Sequence, residues 1–506
     1  MHIRTSRQSW TDLEADLLVV FVPKGEGMLE KVLKPLEKEL KTNFIGYLKQ
    51  RGFEGDKGQK MLIPLLSDEA RYRAVLCLGA TESALSVDGW REAAARAVQA
   101  ADQGQFSTLV FADLGVRRPT GEALARACGA MAEGASLAGY RYHAYRPEPT
   151  KHEKSHVTEV VFASIAHKDE RAVRASLSQA GATVTGVHVA RDLVNTPPSD
   201  MAPSHMAEAA RSIAAQDVRL SVEVLDRTWM EGLEMGAALA VAKGSIHEPL
   251  LVHLKYKPKG KIRKKICVIG KAVTFDSGGL SIKTADGMTT MKCDMAGAAA
   301  VLGLFQVLPE IAPQVEVHGI FIAVENMPSG TAYRPGDVVK AMNGKTIEVL
   351  NTDAEGRLTL ADALAYVSAH VKPDQVIDLA TLTGAAVVAV GEEITALFAN
   401  DDRLAQGLMK AGEEVGEYYC RLPLFQPYKK LIKSKIADLK NIGGRPAGSI
   451  TAALFLEAFV PAGTPWAHLD IAGPAFMERD SRPDTPQGGT GVGVRTLVRY
   501  LQSQDR

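Results

Sequence analysis

The sequence predicts an α/β fold with two domains: a smaller N-terminal α/β domain, and a larger C-terminal α/β domain whose mixed central sheet is flanked by helices. Three observations predict it. The chain has 506 residues, too many for one compact core. Short apolar runs alternate with helical patterns along most of the chain, the order typical of layered α/β folds. A helical segment that ends at consecutive prolines separates two such alternating regions.

The first alternating region, residues 1–165, predicts a largely parallel sheet. Its apolar runs have the length and the β-branched content of buried strands, and helical patterns separate several of them. The predicted strands are 17–22, 74–78, 107–112 and 159–164, and the predicted helices are 28–40 and 90–101. The region contains no metal-spaced Cys cluster and no Gly-rich phosphate loop.

A linker helix is predicted at 166–197. Residues 168–194 have a helical composition, although Gly181 and the β-branched residues at 183–185 weaken the middle of the segment. The helix ends at Asn195 because the two prolines that follow shortly after cannot continue it. The predicted domains are therefore an N-terminal α/β domain at 1–165 and a C-terminal domain at 198–506.

The second alternating region has the same character and predicts the larger sheet. The predicted strands are 220–225, 249–255, 266–269, 315–324, 376–379 and 468–471, and the predicted helices are 297–307, 360–370 and 450–459. No repeat at a solenoid period interrupts this order.

Composition and charge exclude several classes of function. Lys+Arg and Asp+Glu both number 59, so no strong field for nucleic acid or anionic membranes is evident. Five scattered cysteines without a CxxC pair suit a reducing compartment. The first apolar run, at 17–22, is too short for a signal peptide or a membrane span. These features predict a cytoplasmic protein that does not bind membranes.

Polar residues crowd where the apolar strand at 266–269 ends. Lys271 and Asp276 bracket a short apolar stretch, and Asp294 directly precedes a helix of small residues. Taken alone, Asp294 is most simply interpreted as a helix N-cap, and Lys271 as a surface or ion-paired lysine.

A second polar segment follows at 351–357. Asp353 and Glu355 are two residues apart, so in extended backbone both would project to the same side. Arg357 opens the next predicted helix, and two acids before a helix could simply be partners of its dipole.

Taken together, the two segments predict a metal site. Four ionised carboxylates, those of Asp276, Asp294, Asp353 and Glu355, repel one another too strongly to share a buried site without cations. Two divalent cations would cancel their charge, and oxygen-rich ligation suits Mg²⁺, Mn²⁺ or Zn²⁺. A deprotonated Lys271 would add a nitrogen donor.

The segments 271–283 and 351–358 resemble the signature segments of the cytosolic leucine aminopeptidase family, the leucyl aminopeptidases. Further similarity covers much of 190–500, at 191–197, 325–328, 333–337, 380–384, 441–444 and 466–473. The first 165 residues resemble the family only in layout. One departure is Ala272, where the family commonly has glycine after the ligand lysine.

The resemblance implies a role for each matched position in this chain. The implied metal ligands are Lys271, Asp276, Asp294, Asp353 and Glu355. The implied catalytic residues are Lys283 and Arg357, and the implied substrate-binding residues are Met291, Thr381, Leu382 and Gly384. The cofactors would be two divalent cations per subunit, Mn²⁺ or Zn²⁺ with Mg²⁺ or Co²⁺ possible at one site, and a bicarbonate at Arg357. These would activate water to hydrolyse the N-terminal residue from short peptides in a homohexamer.

Two alternatives stay open. Some members of the family bind DNA, but the balanced charge of residues 1–165, 22 Lys+Arg against 21 Asp+Glu, does not indicate this here. The most basic stretch, 257–265, is predicted as a solvated hairpin tip.

A catalytically inactive relative is disfavoured because all seven metal-binding and catalytic positions are intact. The sequence has one HExxH match, at 152–156, but this match overlaps the polar, Pro-rich stretch 146–154, which predicts a surface loop rather than the helix that a mononuclear zinc protease needs. The absence of a GxSxG motif disfavours a serine hydrolase, and His468 is predicted to be structural.

Overall fold

The computed structural model describes residues 1–66, 70–80, 85–112, 119–146 and 155–504. The chain forms two compact units. The N-terminal unit comprises Met1–Val184 together with Asp480–Pro486, and the C-terminal unit comprises Thr185–Arg479 and Gln487–Arg506.

The described part of the N-terminal unit contains one six-stranded sheet in the order β1-β6-β5-β2-β4-β3. The strands are β1 (His2–Thr5), β2 (Ala15–Val22), β3 (Lys60–Pro64), β4 (Tyr72–Gly79), β5 (Thr108–Phe111) and β6 (Glu159–Phe162). The helices are α1 (Met28–Leu40), α2 (Ile45–Gln50), α3 (Val87–Gly104) and α4 (Gly121–Ala138). All neighbouring strands are parallel except β3 and β4. The prediction of a largely parallel sheet is confirmed.

The central strand β2 is buried on both faces, which explains its unbroken apolar run. Leu17, Val19 and Phe21 belong to one hydrophobic cluster, which includes residues of α3 and α4. The alternate residues of β2 belong to a second cluster, which includes residues of α1 and α2. Helices therefore cover both faces of this sheet.

A single continuous helix, α5 (His167–Asn195), occupies the predicted linker. The weakness predicted around Gly181 does not break the helix, because residues on one face of it, such as Ala180 and Val184, are buried. The two compact units divide within α5, between Val184 and Thr185. The boundaries 1–165, 166–197 and 198–506 remain a prediction about domains.

The C-terminal unit contains a nine-stranded mixed sheet among its described residues, in the order β16-β15-β18-β14-β9-β11-β8-β7, with β10 paired to β11. The strands of the unit are β7 (Leu220–Leu225), β8 (Leu250–Tyr256), β9 (Lys265–Gly270), β10 (Ala272–Asp276), β11 (Glu316–Asn326), β12 (Val338–Lys340), β13 (Thr346–Glu348), β14 (Gln375–Ala380), β15 (Ile394–Ala399), β16 (Tyr418–Arg421), β17 (Leu439–Lys440), β18 (Trp466–Asp470), β19 (Phe476–Met477) and β20 (Gly488–Gly489). Its helices are α6 (Pro203–Ala214), α7 (Arg227–Gly232), α8 (Gly236–Ala242), α9 (Ala285–Met288), α10 (Ala296–Ile311), α11 (Gly356–Tyr366), α12 (Gly384–Val390), α13 (Asp402–Val415), α14 (Gly448–Glu457) and α15 (Val494–Ser503).

The centre of this sheet is parallel, and its borders are antiparallel. Strands β18, β14, β9 and β11 run parallel, and β10 runs parallel to β11. Strands β8 and β15 are antiparallel to their inner neighbours. The predicted fold class, with a mixed central sheet flanked by helices in the larger domain, is confirmed.

Helix α10 lies unusually close to the sheet, because its first turn is built from small residues. A Cβ at Gly297 would lie 2.1 Å from the carbonyl oxygen of Leu379 in β14, so only glycine fits. Helices α8, α11 and α14 contribute residues to a separate hydrophobic core with Cys267 and Ile269 of β9. The close approach of α10 places its start beside the ends of the central strands.

The prediction for the basic stretch 257–265 is wrong. Residues 257–265 are not a hairpin tip, because β11 lies between β8 and β9 in the sheet; they form a largely exposed crossover loop.

Among the described residues, one helical stretch, Ala285–Ile311, is long and apolar enough to cross a membrane, but 83% of its most apolar part is buried. A buried core helix of a soluble protein gives the same signal, so this stretch is weak evidence for a span.

Candidate metal centre

Five polar side chains lie where parallel strands of the C-terminal sheet end. Because the strands run in the same direction, their carboxyl ends meet at one edge of the sheet, the usual place for a site in α/β folds. The residues that close or follow β9, β10, β11, β14 and β18 are Lys271, Asp276, Asn326, Thr381 and Asp470.

Lys271 is buried between two carboxylates. Its Nζ lies 2.7 Å from Asp294 Oδ1 and 2.8 Å from Glu355 Oε1, and it donates to the carbonyl oxygen of Thr381 at 3.0 Å. All three charged side chains are almost fully buried. A Cβ at Gly356 would lie 2.3 Å from Lys271 Cε, which explains the glycine after Glu355. The interpretation of Lys271 as a surface lysine is wrong, and the ion-paired alternative is correct.

A second lysine joins the other two acids. Lys283 Nζ lies 2.8 Å from Asp276 Oδ2 and also contacts Asp353. Asp276 Oδ1 accepts from the amide nitrogen of Asn326 at 2.8 Å. Carboxylate oxygens of Asp276, Asp353 and Glu355 all lie within 4.8 Å of one another. The structure therefore brings together the residues predicted from two separate segments.

The local conformations differ from the simplest expectations. Asp294 is not an N-cap: it lies in a 3-10 turn, Met291–Met295, and α10 begins after it without a side-chain cap. Its carboxylate instead accepts from Lys271 and from the hydroxyl of Thr381. Glu355 has helical backbone angles rather than extended ones, so the same-side argument for Asp353 and Glu355 is wrong although the two side chains do meet. Glu355 makes no cap hydrogen bond to its helix.

The four carboxylates face only two ammonium groups, and the pKa values show the imbalance. Burial and the charge of Glu355 raise the pKa of Asp276 to about 6. Burial likewise raises the pKa of Asp294 well above its ordinary value. Burial would also raise the pKa of Glu355, but the Lys271 ammonium outweighs it and lowers that pKa. Burial opposes the ammonium charges, yet the surrounding acids raise the pKa of both Lys271 and Lys283.

Several buried oxygens in this cluster have no hydrogen-bond partner. They are Asp294 Oδ2, Glu355 Oε2 and Asn326 Oδ1. Buried polar atoms are nearly always paired, so unpaired acceptors inside an acidic cluster call for a further positive group. Carboxylate oxygens with free lone pairs are the ligands that divalent cations prefer. The donor set thus fits divalent cations.

Arg357 is buried at the second position of α11, two residues after Glu355. Its Nη1 donates to the carbonyl oxygen of Asn441 at 2.8 Å, whereas its Nε has no partner. Burial lowers the pKa of Arg357 to about 10, so the guanidinium keeps its charge at neutral pH. A buried cation with an unused donor fits a small anion such as bicarbonate.

The predicted substrate residues have different surroundings. The Thr381 hydroxyl donates to Asp294 at 2.8 Å, and the backbone nitrogen of Leu382 donates to Asp470. Met291 is half-buried in the turn that carries Asp294, and Gly384 is exposed at the start of α12. Thr381 therefore contacts the acidic cluster directly, and Leu382 is fixed next to it.

Sequence reasoning missed three residues that hold these segments in place. Asn326 donates to both Asp276 and the carbonyl oxygen of Thr352, and the Tyr333 hydroxyl donates to the same carbonyl at 2.7 Å. Asn441 accepts from the backbone nitrogen of Leu350. All three lie in segments that had suggested the family resemblance, and that was the only signal available in the sequence.

Comparison with known proteins assigns the family. Residues 188–498 match the model of the cytosol aminopeptidase family catalytic domain, and residues 19–149 match the model of its N-terminal domain. The chain belongs to the cytosol aminopeptidase family. The resemblance inferred from the motifs is confirmed.

Relatives and solved structures agree with this assignment. A probable cytosol aminopeptidase of Synechococcus sp. (strain CC9605) is 42% identical over 98% of both chains, and one of Roseiflexus castenholzii is 44% identical over 85% of this chain and 87% of the relative. A mutant of tomato leucine aminopeptidase superposes with a TM-score of 0.88 at 34% identity, covering 99% of this chain and 96% of that one. The bottromycin maturation enzyme BotP in complex with Mn gives a TM-score of 0.82 at 37% identity, with 97% and 100% covered.

His468 lies near this edge but is fully buried. Its Nδ1 lies 2.6 Å from Asp378, and its ring stacks between Phe398 and Trp466. The Trp466 indole donates to the same carboxylate at 2.7 Å. These contacts agree with the predicted structural role.

Proposed function

We propose that the chain is a leucyl aminopeptidase that hydrolyses the N-terminal residue, leucine among others, from short peptides at a dinuclear metal site. The observation that carries this proposal is the cluster of four carboxylates at the carboxyl end of the central sheet, of which Asp276, Asp294 and Glu355 are buried and Asp353 is half-buried, with unpaired buried oxygens. The family match supports the metallo-aminopeptidase chemistry. The proposed domains are the N-terminal α/β domain at 1–165, the linker helix at 166–197 and the catalytic domain at 198–506.

The five proposed metal ligands form two groups within the cluster. Lys271, Asp294 and Glu355 form one group, and Asp276 and Asp353 form the other, with Glu355 close to both. Bound divalent cations would supply Lewis acidity and a water of lowered pKa. Lys271 must be neutral to act as a ligand; its acidic neighbours raise its pKa in the metal-free protein, and neighbouring cations would reverse that effect. The similar enzyme BotP was solved in complex with Mn, which supports Mn²⁺; Zn²⁺ is proposed as the alternative because the same ligand types also suit it.

Lys283 is proposed to act on the substrate as a cation. Its side chain is 17% exposed, more than that of Lys271 at 4%, so a substrate can reach it. The surrounding carboxylates keep its pKa high, so it stays an ammonium at neutral pH. A fixed ammonium stabilises negative charge that develops on the oxygen of a scissile carbonyl.

Arg357 is proposed to hold a bicarbonate, which would supply a proton acceptor. Within the described residues, every carboxylate of the cluster contacts an ammonium group, so none of them is an evident general base. The unpaired Nε of Arg357 offers the anion a buried donor beside the cluster.

The remaining parts of the proposal concern substrates, assembly and location. Met291, Thr381, Leu382 and Gly384 are proposed to line the substrate site. The name cytosol aminopeptidase that the relatives carry supports a cytoplasmic location. A homohexamer of this chain would have about six times its mass of 54.3 kDa, which light scattering would measure.

Metal removal and restoration test the central proposal. The purified protein should cleave Leu-p-nitroanilide, lose that activity on exhaustive chelation, and regain it with Mn²⁺, Zn²⁺ or Co²⁺. Metal analysis of the restored protein should give two ions per chain. Full turnover after verified metal removal would contradict the metal mechanism, and restoration with a single ion per chain would contradict the dinuclear site.

A further inference from the structure

Asp470, the last residue of β18, is a buried carboxylate outside the proposed ligand set. Its side chain is only 1% exposed. Asp470 Oδ1 accepts from the backbone nitrogens of Leu382, Thr383 and Ala472, at 3.2, 3.4 and 3.2 Å. Asp470 Oδ2 accepts from the Thr383 hydroxyl at 2.6 Å. One carboxylate therefore fixes both the backbone and a side chain of the 381–383 loop.

The opposite end of the same loop reaches the proposed metal ligands. The Thr381 hydroxyl donates to Asp294 Oδ1 at 2.8 Å, and the Thr381 carbonyl oxygen accepts from Lys271 at 3.0 Å. Lys271 also donates to Asp294 Oδ1, so this oxygen has two donors and Oδ2 has none. The orientation of the Asp294 carboxylate thus depends on where the loop holds Thr381.

We propose that Asp470 is a positioning residue, which holds the 381–383 loop so that Thr381 fixes Asp294 with its free oxygen directed at the metal site. The inference deepens the proposed function and rests on it. Residues that hydrogen-bond a metal ligand orient it and tune the metal, and their loss typically costs about 10–100-fold in metal affinity or activity. Asp470 holds the 381–383 loop, and the loop in turn holds the proposed ligand Asp294 through Thr381.

The conservative variant Asp470→Asn tests this in the full-length protein. An amide of the same shape can accept from the backbone nitrogens, but its NH₂ group can only donate to the Thr383 hydroxyl, so this hydrogen bond is reversed and the negative charge is lost. We expect a loss of about 10-fold in Mn²⁺ affinity, measured by competition with a chelating dye, and a lower kcat with Leu-p-nitroanilide at saturating Mn²⁺. Thr383→Val removes this hydrogen bond from the other side, together with the cap that the hydroxyl accepts from the backbone nitrogen of Ala386, and should give a loss at least as large.

Glu417 provides a matched control in the same unit. This buried carboxylate accepts from the backbone nitrogens of Gly493 and Thr496, both at 3.1 Å, and from the Thr496 hydroxyl at 2.5 Å. All three donors bond to the same oxygen, Oε2, so Glu417→Gln removes the negative charge of a buried carboxylate that also lies 3.4 Å from Arg495 Nε, at the start of α15. We expect it to lower the melting temperature without changing Mn²⁺ affinity or kcat.

Comparison of single and double variants separates positioning from general destabilisation. If Asp470 acts through Thr381, then Asp470→Asn and Thr381→Val should weaken Mn²⁺ binding non-additively. The inference is overturned if Asp470→Asn binds Mn²⁺ and turns over like the parent while only its melting temperature falls. It is also overturned if Glu417→Gln loses Mn²⁺ affinity to the same extent. Failure of the parent protein itself to bind Mn²⁺ or to cleave the substrate would instead refute the proposed function.

Discussion

The two units contain parallel sheets of similar design, yet only one of them carries a cluster of reactive side chains at its carboxyl edge. In the C-terminal unit the central strands end at Lys271, Asp276, Thr381 and Asp470. In the N-terminal unit the residues directly after β2, β4, β5 and β6 are Pro23, Ala80, Ala112 and Ala163. Parallel topology thus supplies a place where strand ends converge, and the residue types at those ends decide whether chemistry is possible there.

The buried charges of the two units differ in the same way. In the N-terminal unit Arg91, which is 1% exposed, lies between two acids, 2.8 Å from Asp88 and 3.1 Å from Glu133. In the C-terminal cluster four acids share two lysines, and buried oxygens stay unpaired. The charge of the buried Arg91 is compensated by neighbouring acids, whereas an excess of acids around two lysines creates a need for additional cations.

The largest expected effect comes from removing members of the excess-acid cluster. Asp353→Asn and Lys283→Met should each lower kcat/KM for Leu-p-nitroanilide by at least about 1000-fold, because each removes a proposed ligand or the charge that stabilises the transition state. Circular dichroism should show that both variants remain folded. Asp16→Asn, which replaces a hydrogen-bonded acid of the N-terminal unit, should keep the parent activity. Near-parent activity in Asp353→Asn would show that Asp353 is not a ligand.

Much of this contrast could be predicted from the sequence, because strand and helix patterns are local. Helix α1 and strand β7 have the predicted boundaries, 28–40 and 220–225. The five proposed ligands do converge around one site, as the charge argument and the family motifs required. Topology and approximate position follow from patterns that span a few residues.

The parts that could not be predicted depend on distant contacts. Asp294 looked like an N-cap because it precedes a helix, but Lys271 and Thr381, 23 and 87 residues away, determine its orientation. Nothing in the local sequence of Asp470 shows that its carboxylate holds a loop 87 or 88 residues away. Likewise, no pattern in Asp480–Pro486 indicates that this segment belongs to the N-terminal unit.

Breaking the buried ion pairs of Arg91 in the N-terminal unit should lower stability and leave the catalytic activity unchanged. Arg91→Met removes the guanidinium between Asp88 and Glu133, whereas Asp88 keeps its contact with Arg482 at 3.0 Å. We therefore expect a cost of up to about 3 kcal/mol, the lower end of the range for breaking a buried ion pair. The urea midpoint of unfolding, followed by the fluorescence of the neighbouring Trp90, should fall while kcat stays at the parent value. Lys24→Met, which breaks the exposed pair with Asp56, is the control and should leave the midpoint unchanged. Equal losses in both variants would contradict the role assigned to burial.

A series of side-chain hydrogen bonds in the sheet of the C-terminal unit predicts that stability depends on pH, independently of metals. His253 lies between the Tyr366 hydroxyl at 3.1 Å and His318 at 2.8 Å, and His318 reaches Glu316. Burial, followed by the charge of His318, lowers the pKa of His253 from 6.5 to about 4. A lowered histidine pKa means that the unfolded chain binds the proton first. Stability should therefore fall as pH drops from about 6.5 towards 4, by at most about 1.4 kcal/mol per pH unit. His253→Gln should reduce this slope; an unchanged slope would assign it to other groups.

The smallest expected effect comes from Asp16, an acid whose carboxylate is fully hydrogen-bonded, in contrast to the acids of the C-terminal cluster. Burial would raise the pKa of Asp16, but hydrogen bonds from the hydroxyl and backbone of Ser107 outweigh it and lower the pKa from 3.8 to about 2, opposite in direction to Asp276. A lowered carboxyl pKa stabilises the fold above about pH 4, and this contribution is lost as pH falls towards 2. Asp16→Asn should therefore cost about 1 kcal/mol at neutral pH, after allowance for solvent screening, and flatten the stability curve between pH 4 and 2. Chemical denaturation of the metal-free protein across that range measures both. A steep curve that survives in Asp16→Asn would mean that other carboxylates, rather than the hydrogen bonds from Ser107, govern acid unfolding of the N-terminal unit.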